Sequence, residues 1–215
     1  MGTGVGTLKR VMINNVICDA PLNDMPAIIA GIPEHPIEDI SIHDVFIRQK
    51  GSPSATAEID PPEEERECPE PSFFGPLPAL ALMIRHAKNI EVRHLEVTSI
   101  APDARPFVWL SDVDRIEFSG LDFSPRDDVT ALRMHETHNL QVSRSRRLSD
   151  TVLNTSMTAA ILGQPSFKGK SARGEVLRDQ SATLSRRSSK YSIPYGRIVA
   201  PLPRNRIVVF RRYEQ

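Results

Sequence analysis

Only two cysteines, Cys18 and Cys68, occur in 215 residues, and neither stands in a CxxC or CxxH spacing. A disulfide framework and a thiolate metal centre are excluded on that count, and both residues read as free thiols. No apolar run approaches the roughly 20 residues that a spanning helix needs, so no membrane partner is expected. The start, MGTGVGTLKRVMINN, has no apolar stretch behind a basic one and does not read as a secretory signal. Localisation is therefore left open. His35, His43, His94 and His138 fall at turns or corners without an i,i+4 or HxH arrangement. No metal and no other cofactor is expected from them.

What is present is an ordinary globular balance, 40% hydrophobic and 25% charged, with a formal net charge of zero. That zero conceals a segregation. Residues 1–143 carry 12 Lys+Arg against 23 Asp+Glu, a balance of −11, which leaves 15 against 4 in residues 144–215. The stretch 51–79 holds seven prolines, seven acids and one Arg. Such a stretch makes neither a helix nor a central strand, and it reads as an inserted loop.

Internal repetition organises the rest. LKRVMINNVIC (8–18), IEDISIHDVFI (37–47), AKNIEVRHLEV (87–97) and VDRIEFSGLDF (113–123) place a small or apolar residue at offsets 0, 3, 5, 8 and 10. THNLQVSRSRRL (137–148) keeps Leu140, Val142 and Leu148. The two-residue period puts Ile40 and Ile42 on one strand face. The step from offset 5 to 8 breaks it at a tight corner: Asn14-Asn15, His43-Asp44, Arg93-His94 or Ser119-Gly120. AIIA (27–30), LALMI (80–84), FVWL (107–110) and ALRM (131–134) supply another short strand upstream. With the insertion removed, the unit is roughly 24–29 residues of three short strands, which a parallel β-helix requires.

The expected fold is thus all-β, a right-handed parallel β-helix of about five coils over 5–153, truncated at its N-terminal side. MGTGVGT is too short to cap an open coil. From 154 onward the pattern is lost, and a basic Ser/Arg-rich tail, 154–215, reads as largely disordered. Within it, Ile207 to Phe210 read as a single edge strand.

The coil words resemble the C-terminal part of the family 28 glycoside hydrolases, the polygalacturonase and rhamnogalacturonan-cleaving enzymes of pectin breakdown. The likeness rests on GIPEHPIEDI (31–40), CPEPSFFGPLPA (68–79) and DARPF (103–107), and covers roughly residues 5–153. Its wording is most similar to the exo-acting or rhamnogalacturonan-directed branch. The resemblance implies a pectic oligosaccharide or polysaccharide as partner. It also implies catalysis by aspartates in NTD and DD words, followed by a GHG histidine and an RIK word. None of these stands here in its context: Asp127-Asp128 lies in a turn, SPRDDVTA, and no histidine is flanked by glycines. No catalytic residue is assigned, and the chain is expected to be inactive alone.

Aligning the turn before each unit stacks His86, Asp112 and Glu136, with Arg85, Ser111 and His135 beside them. Successive coils would set these about 5 Å apart, a polar ladder able to face a sugar. Arg85, His86, Asp112 and His135 are therefore the candidate substrate-binding residues, together with Phe73 and Phe74, whose rings can stack on a sugar or pin the insertion to the wall. Trp109 is expected to point outward under a loop. Cys18 occupies the apolar offset-10 slot and is expected to be buried, while Cys68 in the insertion is expected to be accessible. The rival readings are a non-catalytic carbohydrate-binding or assembly module and a nucleic-acid binder acting through the basic tail. The second is the weaker, because no nucleic-acid-binding fold motif accompanies the tail.

Overall fold

The computed structural model describes residues 5–53, 59–63, 71–124, 129–155, 157–162, 196–202 and 205–211. Asp127, Asp128, Cys68 and most of the tail lie outside them. The described residues are all-β apart from one 3-10 turn at Pro71–Phe74. Its strands are β1 (Lys9–Ala20), β2 (Ala27–Ala30), β3 (Ile37–Gln49), β4 (Leu82–Ser99), β5 (Val108–Ser119), β6 (Asp122–Phe123), β7 (Thr130–Ser143), β8 (Thr151–Leu153), β9 (Met157–Leu162), β10 (Gly196–Leu202) and β11 (Asn205–Arg211).

The repeat is the sheet. β1, β3, β4, β5 and β7 stack parallel in that order. The offset-3 residues pair one above the next, Val11 with Ile40, Ile40 with Ile90, Ile90 with Ile116, and Ile116 with Leu140. β2 extends the stack upstream, pairing parallel with Leu82 to Arg85. A parallel sheet needs its long connections outside the ladder, and the 51–79 insertion is one of them.

These long strands are not straight, and the reason is residue-specific. Three sets of residues hold left-handed backbone at equivalent places in successive units. Arg10, Asp39, Asn89, Arg115 and Asn139 do so at offset 2, with φ from 52 to 60°. Asn15, Asp44, His94, Gly120 and Arg144 do so at offset 7, and His86, Asp112 and Glu136 just before each unit. One left-handed residue turns the strand and resets which side chains face inward. Asn, Asp and Gly tolerate that conformation best, and other residues are strained by roughly 1–2 kcal/mol there. The offset-7 corners are those expected from sequence. The offset-2 corners were not foreseen, although the step from offset 0 to 3 breaks the two-residue period just as the step from 5 to 8 does. Gly31, just after β2, takes the place above His86, where a Cβ would come within 2.4 Å of the His86 carbonyl oxygen.

The corners leave offsets 3, 5, 8 and 10 facing one interior. In the units of β4 and β5 they are buried, as with Ile90, Val92, Leu95 and Val97, and in β7 Leu140 and Val142 continue the first two columns. At 0–2% exposed, side chains such as Leu110, Ile116 and Phe118 each contribute on the order of 1.5–3 kcal/mol by burial. Phe107 and Phe123 stack at 4.3 Å between ring centroids. The DARPF word has a structural origin. The Asp103 carboxylate accepts hydrogen bonds from the Ser52 and Arg105 backbone amides (both 2.8 Å) and from the Arg105 guanidinium (2.7 and 3.0 Å), tying the turn before β5 to the start of the insertion.

One expectation is corrected. Cys18 is exposed, because among the described residues no strand covers the upstream side of β1. β8, just before residue 154, pairs antiparallel with β7; of the tail itself the described residues form β9, antiparallel to β7, and β11 between β9 and β10, and the rest lies outside the described residues. Short β-branched runs such as RIVA and RIVVF give these stretches strand propensity despite their basic context. Ile207 to Phe210 are in a strand as expected, but β10 rather than β11 takes the edge.

Candidate functional site

The polar corner before each unit is built by register. Arg85 pairs with Ser111 and Ser111 with His135, so these three stand in one column. His86, Asp112 and Glu136 form the left-handed column beside it. The His86 ring spans two carboxylates, with Nδ1 2.7 Å from Asp112 and Nε2 3.1 Å from Glu63. Asp112, His135 and Glu136 face solvent.

Arg85 does something different from its neighbours. Its side chain is 2% exposed. The guanidinium donates to the Pro61 and Pro62 carbonyls at 2.7 and 3.2 Å, pairs with Asp60, and lies 3.3 Å from Glu63. It also sits 5.6 Å over the Trp109 ring. A buried guanidinium needs this many acceptors to offset its lost hydration, and one donor, Nε, has no partner among the described residues. Arg85 and His86 thus clamp residues 60–63 of the acidic insertion onto the wall.

The second half of the insertion is fixed by apolar contact. Phe74, Leu77 and Ala79 pack against Met83 and Trp109 in a small cluster outside the main interior. Trp109 is the outward residue under a loop, as its alternation with Val108 and Leu110 implies. Phe74 is 4% exposed and serves as the pin, whereas Phe73 beside it is 45% exposed. The structure therefore joins His86 to Asp112 directly and to Arg85 through Glu63, and reaches Phe74 from Arg85 through Trp109. His135 is brought into their column without a contact to them, and Phe73 is left free on the surface.

A second concave site was not read from the sequence. It is an open groove of about 200 Å³ lined by Asp39, Ser41, Asn89, Glu91, Arg115 and Glu117. Each turn gives one corner residue at offset 2 and one outward residue at offset 4, so Ser41, Glu91 and Glu117 line up in register. Asn89 donates to Asp39 at 2.5 Å. Glu91 faces His43 at 3.2 Å and pairs with Arg93. Carboxylates, amide and guanidinium on one shallow face suit hydroxyl-rich ligands, since each can bond an OH group as acceptor or donor. The groove is smaller than the roughly 300–1,000 Å³ of enclosed ligand pockets, which fits one sugar residue lying on a surface. Reading the outward offsets across the repeat, as was done for the inward ones, would have found it. No group of three or more potential metal ligands occurs among the described residues. No protein-family model, curated protein or solved structure matches the chain.

Proposed function

We propose that residues 5–153 are a right-handed parallel β-helix, the C-terminal portion of a pectin-directed glycoside hydrolase of the family 28 type, and that this chain alone does not cleave glycosides. The observation that carries the reading is the parallel in-register stack with left-handed corners at the same offsets in every turn, joined to the family-like wording of the sequence.

The inactivity follows from chemistry. Inverting hydrolysis needs an acid and a base roughly 6.5–9.5 Å apart, with room for water between them. Asp60 and Glu63 are tied to Arg85, Asp112 to His86, and Glu91 to His43 and Arg93. Glu91 and Glu117, stacked in adjacent strands about 4.8 Å apart, are too close for that water. The insertion's seven acids against one Arg repel a polyuronate, so a direct contact favours neutral residues of the polymer.

Reducing-sugar release from polygalacturonate and from rhamnogalacturonan oligosaccharides tests the inactivity. The purified chain should give no more than a boiled control, and sustained release from either polymer would overturn it. The groove favours a second reading, a non-catalytic carbohydrate-binding or assembly module. NMR titration with rhamnose-containing oligosaccharides separates the two: shifts centred on Asn89, Glu91 and Glu117 support binding by this chain alone, and a flat response to every oligosaccharide removes that reading.

A further inference from the structure

Among the described residues three histidines meet carboxylates, and one of them does so twice. His43 faces Glu91 at 3.2 Å and His94 faces Asp44 at 2.9 Å, each through a single ring nitrogen. A neutral imidazole meets such a contact with the tautomer that turns its one N–H toward the carboxylate. His86 has no such choice. Its Nδ1 lies 2.7 Å from Asp112 and its Nε2 3.1 Å from Glu63, with the side chain 11% exposed. An ionised carboxylate only accepts hydrogen bonds, so the two contacts need two N–H donors, and only the imidazolium has two. Either neutral tautomer turns a lone pair toward one of the carboxylates.

The charges around the ring favour its second proton. Asp60 and Glu63 approach from the insertion and Asp112 from β5, while Arg85 beside the ring pairs with Asp60 and lies 3.3 Å from Glu63. Two cations, Arg85 and the imidazolium, then stand against three carboxylates. Arg85 opposes the ring's charge but is itself outnumbered. Glu136, next in the column on β7, is exposed and adds negative charge. Lys88, two residues along β4, stands in another column between Glu38 and Asp114. On the β2 side the neighbour is Gly31, which brings no side chain, and the turn beyond it carries Glu34 and His35, both exposed.

We propose that His86 is a proton-operated clasp, whose imidazolium ties residues 60–63 of the insertion to β4 and β5 and whose loss of a proton to water frees one of the two carboxylates. The hold contributed by the charged ring is present in mild acid and is lost as pH rises through the ring's titration. Below about pH 4 the carboxylates are themselves protonated. The guanidinium of Arg85 keeps its charge throughout, so the segment is loosened and not released. The clasp does not depend on the proposed sugar chemistry.

Limited proteolysis of the full chain by proteinase K tests it, because cleavage of a folded chain follows the fraction of time that a segment is detached. Cutting within residues 51–79, read by mass spectrometry, is compared between wild type and His86→Asn at about pH 6 and about pH 8, on either side of the ordinary imidazole value of about 6.5. Taking the ratio at each pH removes the protease's own pH dependence. Asparagine accepts the left-handed backbone at this position, φ 46°, and does not titrate. Wild type should be cut roughly three- to tenfold more slowly than the variant at the lower pH and at the same rate at the higher. Asp112→Asn, a change at a side chain 59% exposed, is the second arm. An amide can accept from a protonated ring nitrogen or donate to a bare one, so the neutral ring then satisfies both contacts and the step between the two pH values should disappear. If His86→Asn does not fold, the ratio of wild type to Asp112→Asn carries the test and should move in the same direction. A ratio that is equal at the two pH values overturns the proposal, as does greater protection at the higher pH or a full step that survives in Asp112→Asn.

Discussion

Phe118 and Ile13 hold the same offset in two turns of one repeat, and their environments are opposite: Phe118 is 0% exposed and Ile13 is 41% exposed. The backbone at the two positions is alike, parallel and bent at the same corners. What differs is the neighbour, since β5 is sandwiched between β4 and β7 while β1, among the described residues, has β3 on one side only. In a stacked repeat, burial belongs to the interface between turns and is not a property of the turn's own sequence.

The largest effect that sharpens this comparison comes from truncating each of the two residues. Phe118→Ala should cost about 3–5 kcal/mol in urea unfolding, the usual loss for a buried aromatic. Ile13→Ala should cost clearly less, about 1–2 kcal/mol, because at 41% exposed only part of its side chain leaves water on folding. Equal losses would mean that the upstream turn is covered after all. Next in size is the clamp on the insertion. Arg85→Ala should lower stability by roughly 2–3 kcal/mol through lost charge-assisted bonds. It should also expose residues 51–79 to limited proteolysis, which unchanged cleavage would contradict.

The corners give smaller, signed effects. Gly120→Ala should destabilise by about 1–2 kcal/mol, since φ is +71° and the new Cβ would lie 2.8 Å from the His94 ring. Arg115→Asn should be neutral to stabilising by a few tenths of a kcal/mol, because asparagine takes the left-handed backbone more readily. Destabilisation by Arg115→Asn, measured by thermal unfolding, would contradict the strain argument.

The smallest effect is at the exposed edge. The Arg48 guanidinium donates two 2.8 Å hydrogen bonds to Asp19 and holds its carboxyl below the ordinary value. A lowered folded-state value means that the contribution is present above the unfolded carboxyl's pKa and is lost as pH falls through the folded one. The stability difference between wild type and Asp19→Asn should therefore shrink on acidification through that window. A difference that grows there would reverse the assignment.

Much of this architecture is legible in the sequence, because stacking writes the same inward residues into each unit. Ile40, Ile90, Ile116 and Leu140 announce one column, and Asn15, Asp44, His94 and Gly120 one corner. Cys18 was misread for the converse reason: a pattern reports which way a side chain faces, not whether anything lies beyond it. Asp39, Asn89, Arg115 and Asn139 resemble ordinary surface polar residues until their backbone is seen, so the second corner stayed hidden. The candidate site was legible only as a column. Arg85, His86 and Asp112 were placed together by alignment alone. The partners that bury Arg85, Asp60 to Glu63, come from a proline-rich loop with no periodicity to locate it. The groove draws one residue from each offset of several turns, and no contiguous motif records it.

The parallel in-register stack underlies every one of these statements, and cysteine pairs test it most directly. With Cys18 and Cys68 replaced by serine, Glu91→Cys with Glu117→Cys should close an intramolecular disulfide readily, since registered Cα atoms in neighbouring strands lie about 4.8 Å apart. Glu91→Cys with Arg115→Cys, displaced two residues along the strand, should not close. Ready closure of the second pair and none of the first would contradict the stack.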